Sequence, residues 1–369
     1  MSRDPLKWWG DPKNPWNQPI STTATYGAEV LCVAKIRTMS PDYTYIHMDP
    51  TLTPLSILQS KSNTDCVGGS ALTPSLPISI TAPADGLNPA DPGHNNGAAF
   101  VDPNGLDFWE GEPYNWCTGH VHPVVPALTK NPTGLKGISP NGTRGGSKLS
   151  TLGGVIRHGD LTDPTVVYGP GSVGPRHVLA FNVYGDADMY PACPNSNPNC
   201  GLPANTIFPN GYRWPAGRHD AAGYDPSRVV DGTVPGLGQS RMHMVMGVLL
   251  AIGRGVKLAE IGLTTQPGMM LAWTLQNYGA YVVNDSTRSV HSFTVDNTAD
   301  HITGKRVADE FHDKWGFTLD TGNPPSANSA WGKDCEKILA LLRIVVSNTQ
   351  AHPGGGPPPY LQPLAPAFT

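Results

Sequence analysis

The chain has 369 residues, a formal net charge of −4 and only 15% charged side chains, so it lacks the basic face that a nucleic-acid binder uses to neutralise phosphates. No apolar run approaches the ~20 residues needed to span a bilayer. With 42 Gly and 38 Pro, more than a fifth of the sequence is turn-forming, which argues for many short strands joined by irregular loops.

Residues 1–25 hold Trp8, Trp9 and Trp16 among Pro and Asn and read as an arm laid across the body. Met1 leads straight into this polar, Trp-rich stretch, so an export signal is expected to have been removed or never to have existed. Residues 26–350 are expected to form a single β-rich domain. Gly27 to Ile36 reads as its first strand, and Leu76-Pro-Ile-Ser-Ile-Thr alternates as an edge strand would. Residues 83–98 read as loop, and the Gly/Ser/Thr/Asn-rich residues 129–150 as an exposed, mobile loop. Gly153 to His158 gives a short strand, and Arg176 to Tyr184 the clearest one. Residues 185–235 are a long loop region containing Tyr212-Arg-Trp-Pro, and Met242 to Ile252 is apolar strand.

Thr265 to Gly279 carries a helix pattern, with Pro267 in the first turn and Gly279 as the stop. Ala280 onwards resumes strand. Further helices are predicted around Asp300 to Trp315 and Ser329 to Leu341, and the Pro-rich tail 351–369 is extended. These elements predict a mainly β fold, a jelly roll or related β-sandwich with a few short helices in long loops. An α/β fold is the competitor, but the helices are too few to cover both faces of a parallel sheet.

Of six cysteines, Cys193 and Cys200 bracket a polar Pro/Asn loop and are expected to form a disulfide, which places the protein in an oxidising, extracellular compartment. Zinc is the rival, although the spacing is wider than a knuckle. The pairing of Cys32, Cys66, Cys117 and Cys335 stays open.

The most informative stretch is Asp107-Phe-Trp-Glu-Gly-Glu-Pro-Tyr-Asn-Trp116. In an extended strand Glu110 and Glu112 share one face, with Asp107 and Trp109 on the other. Paired carboxylates can divide into a protonated acid and an ionised base, and the rings of Trp109 and Trp116 suit a sugar surface. The alternative is a half-buried strand with a charged, solvated face. His177 is the first candidate histidine, sharing a strand face with Leu179 and Phe181, which equally fits a satisfied core histidine. His158 and Asp160 alternate onto one face as base and orienter, or cap a turn. His120 and His122 could hold zinc or copper, with no third ligand identified. Asp186 and Asp188 could hold a structural calcium, although no full calcium loop is present. Nucleophile-elbow, phosphate-loop and His-Glu-x-x-His motifs are absent.

The ordered series Leu152-Gly-Gly-Val-Ile-Arg, Arg176-His-Val-Leu, Gly211-Tyr-Arg-Trp-Pro-Ala, Met246-Gly-Val-Leu-Leu-Ala-Ile, Leu263-Thr-Thr-Gln-Pro-Gly and Leu275-Gln-Asn-Tyr-Gly-Ala-Tyr-Val-Val resembles a family of secreted bacterial proteins. The resemblance covers roughly residues 100–369. Members often stand beside carbohydrate-binding or adhesion modules, so it implies a glycan partner; it carries over no catalytic residue.

The leading expectation is a secreted glycoside hydrolase using Glu110 and Glu112, with Asp107 or Asp160 as further acids. A polysaccharide lyase would use His177 or Tyr184 as base and Arg176 to neutralise a uronate. A non-catalytic glycan-binding or structural module would use exposed rings such as Trp214. Self-assembly is a further expectation, since the Trp-rich start and the Pro-rich tail could each pack on a neighbouring copy.

Overall fold

A computed structural model of the chain describes residues 3–27, 31, 39–52, 54–60, 68–71, 78–79, 95–116, 122–162, 174–185, 189, 212–219, 244–286, 290–300, 303–322 and 326–368. The strands in chain order begin with β1 (Met39–His47), β2 (Pro54–Leu55), β3 (Leu58–Ser60), β4 (Gly68–Ala71) and β5 (Ile78–Ser79). Next come β6 (Gly97–Val101), β7 (Phe108–Gly111), β8 (Val124–Val125), β9 (Thr129–Lys130) and β10 (Leu179–Tyr184). The last four are β11 (Leu249–Ile252), β12 (Ala280–Ser286), β13 (His291–Asp296) and β14 (Leu342–Ile344). Three helices accompany them: α1 (Gln266–Asn277), α2 (Val307–Trp315) and α3 (Ala330–Leu341).

Nine strands form one mixed sheet in the order β14-β11-β12-β10-β13-β1-β6-β7-β9. β1 lies parallel to both β13 and β6, and β10 is parallel to β12 but antiparallel to β13. The architecture is therefore mainly β with few helices. Among the described residues it is built on one large mixed sheet, and two facing antiparallel sheets, the arrangement of a sandwich, are not displayed. Two small sheets, β2-β5 and β4-β3-β8, complete the strands.

The helices follow local rules. Thr265 caps α1 by accepting the Gly268 N–H, Pro267 occupies its first turn, and Gly279 after it takes φ +77°. A Cβ at Gly279 would also lie 2.5 Å from the Leu250 carbonyl. Ser329 caps α3, and Gly316 ends α2 in the left-handed region. α2 starts at Val307, later than Asp300, because residues before it turn on the Asp300 carboxylate and carbonyl.

One face of the sheet is apolar. Phe293 and Val295 of β13 meet Leu271 of α1 and Trp331 of α3. A second aromatic cluster of Tyr45, Phe100, Tyr114 and Trp116 extends the packing at β1, β6 and the segment after β7.

The opposite face is polar along its centre, and this explains a departure from the sequence reading. Register places Ser40, Asp42 and Thr44 of β1 beside Ser292, Thr294 and Asp296 of β13, with Asn182 of β10 opposite Ser292. A polar face cannot be covered by an apolar helix, because its groups would lose their hydrogen bonds. It is covered instead by residues 139–153, most of which lie in the 129–150 stretch expected to be an exposed loop. There Arg144, Ser147, Leu149 and Ser150 are buried. Glycine is required where this segment touches the sheet: a Cβ at Gly142 would lie 2.2 Å from Glu110 Oε2, and one at Gly146 would lie 2.4 Å from Asn284 Oδ1. The composition that reads as mobile loop is what permits this close approach.

The arm packs into the same layer. Trp16, 1% exposed, stands edge-on to Tyr281 and lies over Gly153 and Gly154. Arm and tail bind each other within one chain: Thr22 N–H donates to Pro359 O, Leu361 N–H to Ile20 O, and the Arg3 guanidinium stacks on Phe368. Residues 154–156 form no regular strand but fill the gap where β10 and β13 splay, with Ala180 N–H donating to Gly154 O and Ile156 N–H to Thr294 O.

Candidate functional site

Of the acid pair, Glu110 is fully buried. Its Oε1 accepts from Ser150 Oγ (2.6 Å), Thr151 Oγ1 (2.8 Å) and the Leu152 N–H (3.2 Å). Burial raises its pKa against these hydrogen bonds. This carboxyl anchors the covering segment to β7. Glu112, one residue past β7, shares its face as expected but is half-buried, and its Oε1 accepts the Gly145 N–H at 2.9 Å. Trp109 pairs with Phe100 on the opposite face, and with Trp116 it belongs to the aromatic cluster rather than to a platform beside the acids. Asp107 forms a 2.8 Å ion pair with Lys130, which holds its pKa down.

Glu112 lies at the end of the sheet where β7, β10 and β12 finish and β1, β6 and β13 begin. Several polar groups meet there. Asp42, 4% exposed, accepts the Asn95 N–H and Nδ2 (both 3.1 Å) and Asn182 Nδ2 (2.8 Å). Asn284 Oδ1 accepts the Gly146 N–H at 2.7 Å. Tyr184 and Asp285 are half-buried at the same strand ends. Behind them the buried Arg144 donates to Ser150 O, Thr151 O, Gly153 O and Thr294 Oγ1. Burial lowers its pKa, opposed by the charges of Glu112, Asp42 and Glu110.

Sequence reasoning missed Asp42, Asn95, Arg144 and Asn284 as members of one site. The alternation Ser40-Asp42-Thr44 against Pro41-Tyr43-Tyr45 was a legible signal for β1. Asn284 had none. Phe181 pairs with Val282 but Asn182 pairs with Asn284, so a bulge skips Val283. In an unbulged pairing Asn284 would stand opposite Val183 and point to the other face.

His177 and His158 lie at the opposite end of the sheet. His177, 9% exposed, places Nε2 3.4 Å from Asp160 Oδ2, which also accepts the Arg157 N–H at 2.7 Å. It borders a void of about 20 Å³ lined by Trp8, Trp9 and Trp16, room for one water. His158 donates Nδ1–H to Glu310 (2.6 Å) and Nε2–H to the Thr298 carbonyl (3.0 Å). Burial lowers its pKa, but Glu310, Asp296 and that carbonyl together carry it up to about 9. Both nitrogens donating makes it an imidazolium that ties α2 to the sheet. Arg176 precedes β10 and Tyr184 ends it, so they stand roughly 25 Å apart along an extended chain at about 3.3 Å per residue.

Trp214 is half-buried, edge-on to Tyr281, and with Tyr360 and Pro358 lines a groove of about 600 Å³. His122 approaches Ser56 O at 3.2 Å. His120, Asp186, Asp188, Cys193 and Cys200 lie outside the described residues, as do Cys32, Cys66 and Cys117; Cys335 is buried in α3 as a free thiol. Among the described residues no three His, Cys, Asp or Glu side chains converge on a metal position, and no helix is long and apolar enough to cross a membrane. Compared with protein-family models, with characterised proteins and with solved structures, the chain finds no match.

Proposed function

We propose that the protein is a glycan-cleaving hydrolase whose site lies at the sheet end holding Glu112, Asp42, Asn182 and Asn284. The observation that carries this reading is the meeting there of carboxylates and amides delivered by separate strands, with Glu112 half-buried rather than sealed. Glu112 is the acid that exchanges a proton with the leaving oxygen. Asp42, oriented by three N–H donors, is the fixed carboxylate facing developing positive charge. Glu110 has a structural part only. The resemblance to secreted bacterial proteins supports an extracellular polysaccharide as substrate. Elimination with Tyr184 as base is disfavoured, because Tyr184 and Arg176 stand at opposite ends of β10. A second reading, glycan binding without cleavage, is favoured by the groove beside Trp214 and Tyr360.

The test is release of reducing ends from a panel of polysaccharides. Wild type should cleave at least one, and Glu112→Gln should lower kcat by about 100-fold or more, while Glu110→Gln should keep its turnover. No release from any polymer, or an unchanged Glu112→Gln enzyme, would reject hydrolysis at this site.

A further inference from the structure

We infer that Asn182 and Asn284 form a hydroxyl-recognising subsite that selects a neutral sugar over a uronate, an inference that rests on the glycan reading above. The two residues are direct cross-strand partners, and each is 2% exposed. Which end of each amide points where is settled by its other partner. Asn182 must turn Nδ2 towards the Asp42 carboxylate, and Asn284 must turn Oδ1 towards the Gly146 N–H. That leaves Asn182 Oδ1 and Asn284 Nδ2 buried and without a hydrogen-bond partner among the described residues. One is an acceptor and the other a donor, on directly paired neighbouring strands.

Buried polar groups are nearly always paired, so an orphaned donor beside an orphaned acceptor marks a place for a polar guest. A hydroxyl satisfies both with one oxygen, donating its proton to Asn182 Oδ1 and accepting from Asn284 Nδ2. An ionised carboxylate has no proton for Asn182 Oδ1 and would leave it unsatisfied. It would also approach Asp42, which binds the far end of Asn182, and Glu112. The buried Arg144 already donates to three carbonyls and Thr294. A neutral sugar hydroxyl is thus the matching chemistry.

The experiment is isothermal titration of the full chain, wild type and Asn284→Asp, with cellohexaose, mannohexaose and xylohexaose against hexagalacturonate. Asn284→Asp keeps the acceptor for Gly146 and replaces the orphaned donor, and a thermal melt checks that it folds. At least one neutral hexasaccharide should bind tenfold or more tighter than the uronate, and the variant should lose about tenfold or more of that affinity. If the uronate binds as tightly, the inference falls while the glycan reading stands. The same holds if a folded Asn284→Asp binds the neutral sugar like wild type. Should no oligosaccharide bind, the amides hold water only, and both fall. The comparison of ligands on wild type decides the question even where the variant fails to fold.

Discussion

Replacing Glu110 with Ala should destabilise the fold without touching the proposed chemistry. The side chain is fully buried, and its Oε1 receives three hydrogen bonds, from Ser150, Thr151 and Leu152. At a net of about 1 kcal/mol each, their loss costs roughly 3 kcal/mol. Part of the damage is limited, since Thr151 Oγ1 still reaches Ala98 O and the Leu152 N–H still reaches Ser150 Oγ. The space vacated under Gly142 acts the other way, because partial collapse leaves a cavity. For a chain of this size 1 kcal/mol moves Tm by about 2 °C, so a drop of roughly 6 °C is expected. Calorimetry with urea unfolding at one pH measures it. A Tm within about 1 °C of wild type would refute the anchoring of residues 142–152 to β7 through this carboxyl.

The two ends of the pH range test two histidines with opposite signs. His158 has its pKa raised to about 9, so its contribution is complete below the ordinary imidazole value and is lost as pH rises from there through 9. Melts between pH 6 and 10 should show wild type losing stability across that window, and His158→Gln should show a flatter curve; parallel curves would contradict the imidazolium. His47 is buried against Phe100, with neither ring nitrogen hydrogen-bonded among the described residues, and burial pushes its pKa down to about 3. The unfolded chain then takes up a proton that the folded chain refuses, so stability falls as pH drops below about 6.5. His47→Phe should match or exceed wild-type stability at pH 7 and weaken less in acid. A large loss at pH 7 would mean that the imidazole has a partner.

The elements legible in the sequence were those set by local chemistry. α1 and α3 lie where Thr265, Pro267, Gly279 and Ser329 place them, since caps and turns act within a few residues. β10 and β12 follow from short apolar patterns, and the shared face of Glu110 and Glu112 follows from the two-residue period of a strand. What decided the site was non-local. Glu110 and Glu112 are alike in sequence, and only the covering segment seals one and leaves the other half-buried. Residues 129–150 read as mobile loop because nothing local reveals that a polar sheet face, built from strands as distant in sequence as β1 and β13, needs glycines and hydroxyls against it. Asp42, Asn182 and Asn284 meet because mixed parallel and antiparallel pairing joins distant strands, and because one bulged residue turns Asn284 to their side. A pattern of period two predicts which side chains share a face; it cannot predict where an inserted residue reverses that face, since the bulge is set by the pairing of whole strands.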